Sequence, residues 1–139
     1  MKINEFWLNL PVKDIQKSRA FFKAIGFKEN PRHKDAPNLA SFFIGKKDVV
    51  MMLFPEADFE HFTQHPVTNA SKSTEILLNI GAQSPEEVDE MAKLVKNAGG
   101  KLYAEPSESQ GWMYVCGFKD LDGHRWCSLY LDENKMPNS

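Results

Sequence analysis

Few residues in this chain have the types and spacing that chemistry needs. Glu75 is the one strong general-base candidate, and Asn9 and Asn79 could orient a polar ligand. Cys116 and Cys127 admit three readings: two buried thiols acting as small hydrophobes, a redox-active or soft-metal pair, or a catalytic thiolate at Cys127. The last needs a nearby cation, and Arg125 falls on the same strand face. His61 and His65 share a helix spacing, but Pro66 follows and nothing acidic completes a metal site, so they read as solvated linker histidines. His33 sits in a basic loop, and His124 follows Asp-Gly, where a turn or capping role is expected.

These residues must be carried by strands. Phe6 to Val12 alternates, with Phe6, Leu8, Leu10 and Val12 on one face and Trp7 and Asn9 on the other. Asp14 is an N-cap candidate, Ile15, Ser18, Phe22 and Ile25 line one helix side, and Gly26 suits a left-handed C-cap. Strands are expected at 27–29, 39–44 and 49–54. The pattern then repeats with a strand at 75–80. Ser84-Pro85 with Glu87 starts a helix carrying Val88, Met91, Ala92, Val95 and Ala98, and Gly99-Gly100 ends it. Strands follow at 101–104, 113–118 and 125–131, the last two joined by Asp120-Leu121-Asp122-Gly123. Asn9 and Asn79 each lie five residues before a cap, so the chain reads as a duplicated unit.

Composition bounds the rest. The chain has 139 residues, 42% hydrophobic and 26% charged, so it is globular and can bury a core. Seventeen Lys plus Arg against 19 Asp plus Glu leave no basic footprint, so neither nucleic acid nor a membrane surface is an expected partner. The apolar run 49–54 is far short of the roughly 18 residues that a membrane span needs. No apolar signal region precedes the first strand, so a cytoplasmic location is expected. Two cysteines are too few for a disulfide scaffold.

Two stretches, Leu10-Pro11-Val12-Lys13-Asp14 through Phe21-Phe22 to Gly26-Phe27, and Asp120-Leu121-Asp122-Gly123-His124-Arg125-Trp126, resemble the vicinal oxygen chelate superfamily. That superfamily comprises the glyoxalase, bleomycin-resistance and extradiol-dioxygenase proteins. With Gly111-Trp112-Met113-Tyr114, the resemblance is nearest to bacterial predicted lactoylglutathione lyase-like proteins. It spans about Phe6 to Leu131 and implies an α+β fold. Two βαβββ modules each form a curved, half-barrel mixed sheet around a cavity for a divalent metal and a substrate. One domain, 1–139, is then module 1 (about 1–55), a linker (56–73), module 2 (74–131) and a polar tail (132–139) that hangs free or covers a cavity mouth.

The resemblance also locates the family's metal ligands, two His and two Glu. Here those positions hold Trp7, Leu77, Met51 or Met52, and Cys127. Only Cys is a normal ligand for Zn²⁺, Ni²⁺, Mn²⁺ or Fe²⁺, so no metal and no other cofactor is expected, a divalent metal being the alternative. A four-residue turn at 120–123 pairs Phe118 with Arg125, Cys116 with Cys127 and Tyr114 with Leu129, all facing inward, and leaves Trp126, Ser128 and Tyr130 facing outward with Val115. The expected ligand site is therefore Trp7, Asn9, Met52, Phe54, Glu75, Leu77, Asn79, Tyr114, Cys116, Cys127 and Leu129, mostly apolar with a few convergent polar groups. Side chains filling a collapsed half-barrel are the competing reading.

The functional expectation is a bleomycin-resistance-like protein holding a small organic ligand in an aromatic-lined cavity. Trp7, Phe54 and Tyr114 suit stacking there, and Glu5 or Glu75 suits a cationic group. The alternatives are a metal-dependent lyase or isomerase of lactoylglutathione lyase or dioxygenase type, and a metal-independent enzyme using Glu75 or Cys127. Family habit adds a homodimer.

Overall fold

Both sheets are built by the same rule: the first strand of each half runs parallel to the last. The structure, a computed structural model, describes residues 1–137. The chain divides into two compact units, Met1–Asn69 and the part from Ala70 onward. In the first unit β1 (Trp7–Val12), β2 (Lys28–Glu29), β3 (Ala40–Ile44) and β4 (Val49–Pro55) form an open sheet of order β1-β4-β3-β2, with α1 (Ile15–Ala24) between β1 and β2. In the second, β5 (Leu77–Gly81), β6 (Lys101–Ser109), β7 (Met113–Lys119) and β8 (Arg125–Leu131) repeat this as β5-β8-β7-β6. There α3 (Pro85–Asn97) lies between β5 and β6. These are the two expected βαβββ modules of an α+β fold.

The helices start where the sequence says. Asp14 accepts from the Lys17 amide, and Gly26 takes φ +100° just past the end of α1. Ser84 Oγ accepts from the Glu87 amide at 3.2 Å, while the Glu87 carboxylate reaches back to the Gln83 amide at 2.7 Å. α1 buries Phe21 and Phe22, and Ile25 is buried at its C-cap. Phe42, Met51 and Leu53 are fully buried in the same unit's sheet, and the Phe22 and Phe42 rings meet at 5.8 Å between centroids. α3 buries Val88, Ala92 and Val95, with Cys116, Phe118 and Trp126 fully buried in the same unit.

Three expectations need correction. Residues 56–73 are not simply a linker: α2 (Glu56–Thr63) occupies the first part and belongs to the first unit. Acidic Glu56 and Asp58 in its first turn favour it, and Gln64 ends it in the left-handed conformation. His65 lies beyond that end, so His61 and His65 share no helix face. The polar tail is not free at its root, because the Asp132 amide donates to the Trp112 carbonyl and the Asn134 amide to Asp132 Oδ1. The last tail residues, 138 and 139, lie outside the described residues.

The third correction is the register of the final hairpin. Lys119 pairs with Arg125, Phe118 with Trp126, Gly117 with Cys127, and Cys116 with Ser128. The loop therefore holds five residues, Asp120 to His124. Asp120 Oδ1 accepts the amides of Asp122 and His124, each at 3.0 Å, and Oδ2 accepts the Trp126 indole N–H at 3.1 Å. His124 is thus held in the loop and does not join the ladder. Burial pushes the Asp120 carboxyl above its ordinary value, opposed by the nearby His124 charge and the donated hydrogen bonds.

A buried cation secures the loop after β2. Arg19 donates to the carbonyls of His33, Ala36 and Leu39 at 3.3, 2.9 and 2.6 Å and to Gln16 Oε1 at 2.6 Å. Its Nε lies 3.1 Å from Glu29 Oε2, off the hydrogen-bond line, so that contact is an ion pair. Lysine cannot reproduce this fork. Arg19→Lys is expected to cost about 3 kcal/mol of unfolding free energy in urea titration; an unchanged midpoint would show that the fork carries no stability.

Candidate functional site

Each sheet turns one face to its helix and leaves the other open, and strand parity decides what each presents. In the first unit the register sets Trp7 beside Val50, Asn9 beside Met52 and Pro11 beside Phe54, with Ser41 next to Met52. Met51 belongs to the opposite, fully buried face, so Met52 is the β4 methionine on the open side. Trp7, Asn9, Met52 and Phe54 thus share a face, as parity requires. α2 flanks it: Phe62 meets Phe54 edge-on at 4.9 Å between ring centroids. His33 is not an isolated loop histidine, because its Nδ1 lies 2.8 Å from Oγ of the buried Ser41.

At the start of β1 a cleft of about 520 Å³ opens, lined by Glu5, Phe6, Trp7, Asp48, Val50 and Met52 among others. Trp7 is 54% exposed there. Asp48 adopts φ +52° in the turn between β3 and β4, an uncommon conformation for a residue with a Cβ, and sits with Lys47 at the cleft rim. Asn9 Oδ1 is buried without a donor among the described residues. Such an atom costs free energy until something donates to it.

In the second unit Leu77 neighbours Arg125, and Asn79 neighbours Cys127. These four form the open face. The register correction removes two expected site residues from it. Tyr114 and Cys116 point toward α3: Tyr114 Oη donates to Asp89 Oδ1 at 2.7 Å, and Cys116 is fully buried beside Val88 and Ala92. The Asp89 hydrogen bond raises the Tyr114 pKa, and burial pushes the Cys116 thiol up to about 11. Cys116 and Cys127 are therefore on opposite sides of the sheet and make no redox pair. Val115 pairs with Leu129, on the side opposite Trp126, Ser128 and Tyr130, which corrects its expected face. Glu75 lies outside the strand, exposed at a bend two residues before β5.

Tyr103, which parity on short strands did not single out, takes the vacated place. Its ring lies across Gly117, where a Cβ would come within 2.3 Å of Cζ. Its hydroxyl donates to the Trp126 carbonyl at 3.2 Å and lies 3.5 Å from Cys127 Sγ. The Arg125 guanidinium stands 4.4 Å from the ring centroid. Desolvation and the Cys127 contact push the Tyr103 phenol up to about 12, against the lowering pull of Arg125. The signal in sequence was Gly117, a glycine inside a strand, which marks a close approach.

The positions at which the sequence resemblance implied metal ligands, Trp7 and Met52 in one unit and Leu77 and Cys127 in the other, do not fit a divalent cation: they offer one thiol sulfur and no imidazole or carboxylate. Among the described residues no group of three His, Cys, Asp or Glu side chains could hold a metal ion. No described helix is long and apolar enough to cross a membrane.

Comparisons with known proteins bear on the fold. Residues 6–45 match the family model for the bleomycin resistance protein-like N-terminal region. A hypothetical protein from S. aureus is 35% identical, with 94% of this chain and 95% of that one covered and a TM-score of 0.82. A glyoxalase/bleomycin resistance protein/dioxygenase family enzyme from Burkholderia phytofirmans PsJN shares the fold at 19% identity, covering 92% and 99%, with a TM-score of 0.78. So does a fosfomycin resistance protein from Listeria monocytogenes, solved with Mn(II) and sulfate, at 22% identity, 92% and 90% coverage and a TM-score of 0.66. No curated protein matches the sequence. The chain therefore has the fold of the glyoxalase/bleomycin resistance/dioxygenase proteins, and its residues 6–45 carry the bleomycin resistance protein-like N-terminal pattern.

The Tyr103–Gly117 packing gives a direct check. Gly117→Ala is expected to destabilise the protein by about 2 kcal/mol, and by well under half of that in a Tyr103→Ala background. Equal penalties in the two backgrounds, read from urea unfolding, would show that the ring does not lie on Gly117.

Proposed function

We propose that this chain binds a small organic molecule on its open sheet faces, foremost in the cleft of the first unit, and that it does so without its family's metal. The observation that carries this reading is the cleft beside the half-exposed Trp7, walled by Phe6, Val50 and Met52 and edged by Glu5 and Asp48. An apolar surface with a few polar groups is the usual make-up of a ligand site. The exposed indole suits a planar ring, and the two carboxylates suit a cationic group on it. The orphaned Asn9 Oδ1 adds an acceptor on the same face. What supports the metal-free reading is the chemistry at Trp7, Met52, Leu77 and Cys127. A cytoplasmic location and a homodimer complete the proposal.

Cys127 supports a second reading, metal-independent chemistry at a thiol, because it is a half-buried residue whose sulfur lies beside a phenol and which shares a strand face with Arg125. Glu75, exposed at its bend, gains nothing comparable.

A planar aromatic cation such as ethidium is expected to quench tryptophan fluorescence saturably. Trp7→Ala should weaken its binding by about 1 kcal/mol, roughly fivefold. Quenching that is absent, or that survives the substitution unchanged, would sink the reading. For the metal, protein purified without chelator is expected to carry none, and its melting to be unmoved by Ni²⁺, Zn²⁺, Mn²⁺, Fe²⁺ or Co²⁺. A specific ion at a hundredfold above its Kd would add about 2.7 kcal/mol, and such a shift would overturn the metal-free half of the proposal.

A further inference from the structure

A sheet does not set three cations abreast without cost. Lys101 pairs with Lys119, and Lys119 with Arg125, so the three form one row across β6, β7 and β8. The next row, Leu102, Phe118 and Trp126, is directed at the core and α3, which puts the cationic row on the open face. Like charges directly opposite one another destabilise a sheet. Among the described residues no carboxylate lies within ion-pair distance of any of the three; the ion pairs present involve Arg19, Lys23, Lys96 and Lys135. Arg125 also has a fixed neighbour: its guanidinium carbon lies over the Tyr103 ring, 4.4 Å from the centroid, and that ring needs the missing Cβ of Gly117. A guanidinium carries its N–H donors in a planar fork, the shape that takes a carboxylate or phosphate oxygen pair. Two residues further along β8, on the same face, is Cys127, whose sulfur is 3.5 Å from the Tyr103 hydroxyl.

We propose that the row Lys101, Lys119 and Arg125 is an oxyanion subsite that selects small anionic electrophiles and brings them to the Cys127 thiol. The ligand class is a small molecule with a carboxylate or phosphate group at one end and an electrophilic carbon near it. Leu77, 49% exposed and paired with Arg125, offers apolar surface for its body. The reaction is a displacement: the Cys127 thiolate attacks the carbon, the S–C bond forms, and the bond to the leaving group breaks with its electron pair. The thiol proton goes to water, and no oxidant or reductant is consumed. The thiolate is the attacking species, and Tyr103 Oη–H, which otherwise donates to the Trp126 carbonyl, is placed to donate to it. This proposal rests on reading the open faces as ligand sites. It is tested at a thiol of the second unit rather than at Trp7 of the first, so either can fail alone.

Iodoacetate and iodoacetamide are the probes, since they carry the same leaving group and differ in charge. The full-length chain is alkylated with each, and peptide mapping separates Cys127 from the buried Cys116. The iodoacetate-to-iodoacetamide rate ratio at Cys127 is expected to be about tenfold higher in the folded chain than in the same chain unfolded in urea. It should collapse in about 1 M sodium chloride, where surface charges are screened over a few ångströms. Lys119→Gln with Arg125→Gln should bring it to the unfolded value, while Arg125→Lys, which keeps the charge but loses the fork, should give a ratio between that value and the native one. A ratio equal in folded and unfolded chains, one that high salt leaves unchanged, or a Cys127 inert to both reagents would overturn the proposal. The salt comparison needs no variant, so it decides the matter even if the double substitution unfolds the protein.

Discussion

One carboxylate determines what the second half of this protein can show to a ligand. Asp120 gathers the amides of Asp122 and His124 and the Trp126 indole N–H, so the turn takes five residues and the strands after it pair Gly117 with Cys127. Strand side chains alternate, so a slip of one residue moves a whole set to the other face. With this register Cys116, Phe118, Trp126 and Ser128 are buried, and Arg125 and Cys127 face outward with Leu77 and Asn79. A tighter turn would have put the two cysteines side by side. The cost is a desolvated carboxyl, offset by three donors and by the Phe118–Trp126 stack at 6.0 Å that the register permits.

The two units run the same topology to different ends. Each starts its edge strand with an exposed apolar pair, Phe6-Trp7 in one and Ile76-Leu77 in the other. The first unit adds aromatic surface, an orphaned amide oxygen and two carboxylates at a cleft rim. The second adds cations, a phenol and a thiol. At the positions where the sequence resemblance implied metal ligands, this chain has an indole, a thioether, an isobutyl group and one thiol. Those side chains are poor donors for a hard or borderline cation, which is why the proposed activities rest on organic recognition and sulfur.

Much of this was legible in sequence. The duplication, both long helices with their Asp14 and Ser84 caps, and the sharing of one face by Trp7, Asn9, Met52 and Phe54 follow from periodicity and capping. The rest depended on contacts that no local pattern encodes. α2 is short and buries no residue, so composition made residues 56–63 look like linker. Glu75 fell outside its strand because pairing with β8 begins only at Leu77. The hairpin register turned on whether one aspartate side chain would recruit the amide of residue 124, and Tyr114 and Cys116 were misassigned as a result. Tyr103 reaches across a neighbouring strand, and only the strand-interior glycine beneath it hinted at that.

The most direct measurement is the cross-strand NOE pattern of β7 and β8 in the isotope-labelled protein. The account predicts backbone contacts linking Gly117 with Cys127, Cys116 with Ser128 and Val115 with Leu129, together with contacts from the Tyr103 ring to Gly117. Backbone contacts linking Cys116 with Cys127 and Phe118 with Arg125 would contradict it. They would return Cys116 to the open face and take away the surface on which the proposed sulfur chemistry rests.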